Sequence, residues 1–160
     1  MKITIIGAGK LGVMLAKTLT AENHDITVID INEDKVEKLA EMLDVQGVGG
    51  SATHYNVLEE ADMKNCDLLI CTTPSDEKNI LSCLIARKMG AKHTIARVRN
   101  PEYSAQMNFM RDELGISMKR KAAERNCAIL RQLLKYFAFC NFRQLLPLSH
   151  FLMAEYIWQV

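Results

Sequence analysis

The chain alternates between two rhythms of apolar residues. Ile3, Thr4, Ile5 and Ile6 form a short β-branched run with no polar alternation, which predicts a strand buried on both faces. From about Lys10 the apolar positions recur every three or four residues, at Leu11, Met14, Leu15, Thr18 and Leu19, and predict a helix with one inward stripe. His24–Asp30 reads as the second strand. Asn32 is a natural N-cap for a helix with Glu33 and Asp34 in its first turn and a stripe of Val36, Leu39, Ala40 and Leu43. Val45–Val48 is a short third strand, Val57–Ala61 a short helix and Asp67–Thr72 the fourth strand. A capping Thr73, Pro74 at the first helical position and Asp76 reaching back predict a helix over Ser75–Lys88 that buries Ile80, Leu81, Leu84 and Ile85 and stops at Gly90. Thr94–Arg99 is the fifth strand, Asn100-Pro101-Glu102 starts another helix, and Leu114–Met118 is the sixth strand. Such alternation predicts an α/β fold, a Rossmann-like doubly wound parallel sheet in the order 3-2-1-4-5-6 with a C-terminal helical extension.

Length narrows the functional classes. With 160 residues the chain can bury one sizeable core, but it is short for a Rossmann module plus a full substrate domain, which argues against a complete dehydrogenase. The net charge of +1 hides an asymmetry, since residues 1–118 carry 13 basic and 17 acidic side chains and residues 119–160 carry 7 and 2. Five cysteines with no C-x-x-C spacing point away from a disulfide framework or a zinc site and toward a reducing cytosol. No signal-peptide pattern precedes the first strand, and no uncharged apolar run reaches the roughly 18 residues of a membrane span.

The candidate chemistry lies at the strand ends. Gly7-Ala8-Gly9-Lys10-Leu11-Gly12 directly follows the first strand and opens the first helix. Gly7 suits a tight turn, Gly9 lets backbone approach a pyrophosphate, and Gly12 lets the helix lie close to the sheet, with the helix N-terminus offering N–H groups and a positive dipole end. Asp30, at the end of the second strand, suits the two hydroxyls of an adenosine ribose and repels a 2′-phosphate, so NAD, ATP or ADP fits better than NADP. Gly49–Thr53 is either a place of close ligand approach or a flexible turn. In the 3-2-1-4-5-6 order, Thr72, Thr73 and Pro74 line the same crevice as the glycines. Alternation puts Arg97 and Arg99 on one face, as partners for a phosphate or a neighbouring carboxylate or as solvated edge residues. The histidines, His24, His54, His93 and His150, show no catalytic spacing, and the only basic cluster, Lys119-Arg120-Lys121 with Arg125, reads as capping or solvating the helix that follows rather than as a nucleic-acid recognition helix.

Taken in order, G-A-G-K-L-G, V-I-D-I-N, G-S-A-T, C-T-T-P-S-D-E-K-N-I and A-R-V-R-N-P-E-Y resemble the nucleotide-binding domain of Trk-type potassium uptake regulatory subunits, the KTN or RCK N-terminal domain, over residues 1–118. The resemblance implies a non-catalytic cytosolic subunit that binds NAD or NADH and ATP or ADP, assembles through dimers into a ring, and docks on a membrane potassium transporter or channel. By position it assigns Gly7, Ala8, Gly9, Lys10, Leu11 and Gly12 to the pyrophosphate, Asp30 with Ile31 to the adenosine ribose, Ser51 and Ala52 to the surroundings of the adenine, Thr72, Thr73 and Pro74 to the central part of the dinucleotide, and Arg97 to a phosphate or gating contact. It assigns no catalytic residue and no metal.

Two departures stand out. Ser51 replaces the acid of the family's G-D-A-T motif. The tail differs more: residues 122–136 read as a crossover helix with a stripe of Ala123, Cys127, Leu130 and Leu134, but residues 137–160 are aromatic, nearly uncharged and outside the family pattern. Residues 119–160 thus read as a crossover helix and an aromatic tail that could form a dimerisation arm, with residues 137–160 either a divergent, helix-rich dimer arm or the product of a shifted frame or truncation. The alternative function is a small NAD-dependent oxidoreductase or a fragment of one.

Overall fold

The computed structural model describes residues 1–105 and 117–120, which belong to one compact unit, Met1–Lys121. The strands β1 (Lys2–Ile6), β2 (Asp25–Asp30), β3 (Gln46–Gly49), β4 (Leu68–Cys71), β5 (His93–Val98) and β6 (Ser117–Arg120) form a parallel sheet in the order β3-β2-β1-β4-β5-β6. The expected doubly wound order is therefore present. Of the predicted sixth strand, Ser117 and Met118 lie in β6, and residues 114–116 lie outside the described residues.

Between the strands run α1 (Lys10–Ala21), α2 (Glu33–Met42), α3 (Tyr55–Glu60) with a 3₁₀ turn at Met63–Asn65, α4 (Asp76–Met89) and α5 (Pro101–Ala105). Ile3, Ile5 and Ile6 of β1 and all four residues of β4 are buried, as central strands covered on both faces require. One core cluster joins Ile6, Leu69, Cys71, Ala96 and Val98 of the sheet to Leu58, Met63, Ile80, Cys83 and Ala86 of the crossover elements. Helices α1 and α2 pack on β1, β2 and β3 through Leu15, Ala16, Leu19, Val36 and Leu39.

Three predicted stripes differ in part from the buried faces. In α1 the buried face is Gly12, Leu15, Ala16 and Leu19, and Thr18 is exposed, its hydroxyl donating to the Met14 carbonyl within the helix. In α2 Ala40 is exposed, so Val36 and Leu39 carry the contact. In α4 Leu81 is 46% exposed, and the buried positions are Asp76, Asn79, Ile80, Ser82, Cys83 and Ala86. In α1 and α4 small residues, Gly12, Ala16, Ser82, Cys83 and Ala86, take inward positions that apolar content alone does not mark, because they fit a close helix–sheet contact. The crossover helix and aromatic arm expected over residues 122–160 lie outside the described residues.

Candidate nucleotide-binding site

The glycine turn is built by close backbone contact. Gly7 has φ +104°, and its N–H donates to the Ile29 carbonyl at 2.7 Å, tying the end of β1 to β2. A Cβ on Gly12 would stand 1.8 Å from the Gly7 carbonyl oxygen, so only glycine lets α1 start this near the strand. At Gly9 a Cβ would meet nothing within 4 Å. The sequence assigned Gly9 to close approach by a ligand, and the space beside it is open for one. No side chain caps α1 at Gly9 and no acid lies in its first turn, whereas α2 and α4 are capped by Asn32 and Ser75 and carry acids there. The positive end of α1 is thus left to face the crevice.

Asp30 stands beside this turn. Its Oδ2 accepts from the Ala8 N–H at 2.6 Å and its Oδ1 from the Asn32 N–H at 2.9 Å. The carboxylate therefore fixes the glycine loop as well as the start of α2, a structural duty that spacing alone does not reveal. Ile31, next to it, is 72% exposed and offers an apolar surface. The Gly50 N–H donates to the Asp30 carbonyl at 2.9 Å, which brings Ser51 and Ala52 to the same edge. Ala52 is buried, and the Ser51 and Thr53 hydroxyls are 2.8 Å apart.

Across the crevice, Thr72 is buried and its hydroxyl lies 3.0 Å from the Ile6 carbonyl and 3.2 Å from that of Gly7. Its single proton is spent on holding β4 to the glycine turn. Thr73 does not cap α4. The helix begins two residues later, with Ser75 accepting from the Lys78 N–H at 3.2 Å, and Pro74 lies exposed ahead of the cap. Thr73 Oγ1 instead donates to Asn79 Oδ1 at 2.6 Å. Asp76 does not complete a capping box either: its Oδ2 accepts from the N–H groups of Arg99 and Asn100, both at 2.7 Å. Threonine, serine and proline all suit a helix start, so the pattern alone does not tell Thr73 from Ser75.

The fifth strand ends at Val98, one residue before Arg99. Arg99 Nε lies 3.6 Å from Asp76 Oδ1, which gives it an internal partner and sets aside the purely solvated reading. Arg97 is half-buried. Burial draws its guanidinium below the ordinary value, Arg99 adds to that by repulsion, and Asp76 opposes it. A desolvated cation with a like charge nearby is one that a bound anion would relieve.

Sequence reasoning missed Asn79. It is wholly buried, with Oδ1 accepting from the Thr73 N–H at 3.0 Å and from the Thr73 hydroxyl, and Nδ2 donating to the carbonyls of Thr73 at 3.1 Å and Arg97 at 2.8 Å. The signal was the helical spacing of Asp76 and Asn79 with Cys83 and Ala86, which places two polar residues on the inward face. Among the described residues no group of histidines, cysteines or acids is arranged to hold a metal ion, and no helix is long and apolar enough to cross a membrane.

A parallel doubly wound sheet with a glycine turn, a strand-end acid and a helix N-terminus converging at its switch point defines a Rossmann-like domain of the nucleotide-binding type. Residues 3–117 match the TrkA-N domain, and the chain belongs to that family. It is 41% identical over 107 residues to the Trk system potassium uptake protein TrkA of Vibrio alginolyticus, covering 66% of this chain and 23% of that protein. The TrkA homolog of Methanothermobacter thermautotrophicus is 35% identical over 123 residues, covering 77% of this chain and 57% of that one. The chain thus spans between about a quarter and somewhat over half of these relatives' length. Among solved structures, the GsuK channel bound to NAD superposes with a TM-score of 0.62 at 26% identity, over 73% of this chain and 21% of the channel. The same channel bound to ADP gives 0.62 at 26%, over 74% and 31%. The TrkA relatives are named as potassium uptake proteins and not as dehydrogenases, which tells against the oxidoreductase alternative.

Proposed function

We propose that this domain senses a nucleotide, NAD or NADH or the adenine nucleotides ATP and ADP, and through it regulates a membrane potassium transporter or channel from the cytoplasmic side as part of a ring assembled from dimers. The observation that carries the reading is the open face of Gly9 beside the uncapped start of α1, with the Asp30 carboxylate next to it. An anion can approach backbone N–H groups there without meeting a side chain. In this reading Gly7, Ala8, Gly9, Lys10, Leu11 and Gly12 cradle the phosphates, Asp30 and Ile31 take the ribose and its neighbourhood, and Ser51 and Ala52 border the base. Thr72, Thr73 and Pro74 form the opposite wall through backbone and van der Waals contact, because both threonine hydroxyl protons are used internally. Arg97 supplies the cation. The nucleotide structures of GsuK support a ligand of this class in a related domain.

Calorimetric titration of the purified protein with NAD, NADH, ATP and ADP tests the proposal. One molecule bound per chain and no consumption of it is the expected result. Absence of binding by all four would refute it.

A further inference from the structure

We infer that Asn79 is a positioning residue of the nucleotide crevice and that, with Asp76, it passes occupancy of the crevice to the segment Arg97–Asn100; this rests on the nucleotide-binding reading above. A primary amide has two acceptor sites and two donors. In Asn79 all four are used, three on Thr73 and one on the Arg97 carbonyl, with no solvent access. Rotating the amide by half a turn would set its NH₂ against the Thr73 N–H and its oxygen against the Arg97 carbonyl. Only one orientation satisfies the site, so the position of the Thr73 backbone and that of the end of β5 are fixed together.

One turn earlier on α4, Asp76 holds the chain just beyond β5. Its Oδ2 takes both the Arg99 and Asn100 N–H groups, and its Oδ1, buried without a hydrogen-bond partner, faces Arg99 Nε at 3.6 Å. Asn100 in turn accepts from the Glu102 N–H at 3.0 Å at the start of α5. On the other side, Thr72 joins the same loop to the Gly7 carbonyl. Hydrogen bonds joined by two stretches of backbone, the Thr72–Thr73 peptide and the first turn of α4 between Asp76 and Asn79, therefore connect the glycine turn to α5. The rigid first turn of α4 is the middle link. A ligand that moves the Thr73 backbone must either break the bonds of Asn79, leaving a buried amide unsatisfied, or carry the end of β5 with it.

Hydrogen exchange of the whole chain, read by mass spectrometry with and without NADH, tests the inference. In the wild type NADH should slow exchange both in peptides over Gly7–Leu11 and in peptides over Arg97–Asn100. Asn79→Ala should keep the first effect, lose the second, and weaken NADH binding about tenfold, the size of one well-made buried hydrogen bond. Should Asn79→Ala fail to fold, the Asp76 pair decides: Asp76→Asn keeps an acceptor and should retain the response at Arg97–Asn100, whereas Asp76→Ala should lose it. Protection at the glycine loop with none at Arg97–Asn100 in the wild type, or an undiminished distant response in Asn79→Ala or Asp76→Ala, would overturn this inference alone. No protection at Gly7–Leu11 by NADH, nor by NAD, ATP or ADP in the same measurement, would overturn the nucleotide-binding reading and this one with it.

Discussion

At Gly12 a Cβ would sit 1.8 Å from a carbonyl oxygen, whereas at Gly9 it would meet nothing, and Gly9 has ordinary extended backbone at φ −79°. The two glycines should therefore separate stability from binding. Gly12→Ala should destabilise the fold by about 1–3 kcal/mol or more, the usual cost of overpacking. Gly9→Ala should leave stability unchanged or raise it by about 0.4–1 kcal/mol while weakening nucleotide binding. Urea denaturation and NADH titration of both variants give the four numbers, and a Gly9→Ala protein that binds as the parent does would remove the close-approach role. Asp30 combines both duties. Asp30→Ala should lose about 1.5–3 kcal/mol of affinity, the worth of hydrogen bonds to a charged acceptor, and should lose stability too because Ala8 and Asn32 lose their acceptor. Asp30→Asn, which keeps an acceptor, should recover stability more fully than affinity.

Elements were legible where burial alone decides them. The buried runs Ile3–Ile6 of β1 and Leu68–Cys71 of β4 stand as the hydrophobic pattern has them, the order of the sheet as the βαβ glycine turn implies, and the Asn32 cap as its residue type predicts. What pattern could not resolve was the choice among chemically equivalent groups: Thr73 and Ser75 both suit a cap, and the decision depends on Asn79 claiming the Thr73 hydroxyl from another turn of the helix. The inward placement of Asp76 was missed for a similar reason, since its partners at Arg99 and Asn100 are more than twenty residues away. The turn between α1 and β2 adds a pH dependence. His24 has a side chain only 6% exposed, and burial lowers its pKa, helped by the N-terminal ammonium and opposed by Asp25, even with Glu22 Oε2 at 3.7 Å. The unfolded chain takes up this proton near the ordinary value of 6.5 and the folded chain resists it, so acid favours unfolding. Stability present above pH 6.5 should decline as pH falls toward the lower folded-state value. Urea midpoints taken at several pH values should fall over that window in the wild type and stay level in His24→Gln; parallel curves would rule His24 out as the cause.

For the whole molecule, regulation requires the nucleotide to bind two arrangements of the subunits with different affinity, because equal binding shifts neither. An apolar stripe over residues 122–136 and the aromatic tail predict a homodimer as the unit that rearranges, to be checked by light scattering across concentration. A monomer at high concentration would contradict it. In the proposed function the groups that would report occupancy are Arg97 in β5 and Arg99 just beyond it, and their surroundings differ. Arg97 is half-buried, desolvated and repelled by its neighbour, the condition in which a bound phosphate gains most. Arg99 is 42% exposed and already paired with Asp76, so it can exchange that partner for a carboxylate on another chain without touching the ligand. Arg97→Ala should therefore reduce nucleotide affinity. Arg99→Ala should leave affinity largely intact while uncoupling binding from potassium uptake, removing a coupling of about 1–3 kcal/mol, or roughly 5- to 150-fold. Uptake in cells carrying each variant, set beside binding by the purified proteins, measures both quantities. If both variants regulate uptake as the wild type does, the signal leaves the domain by another surface, and the pairing of Arg99 with Asp76 serves only to hold the end of β5 against α4.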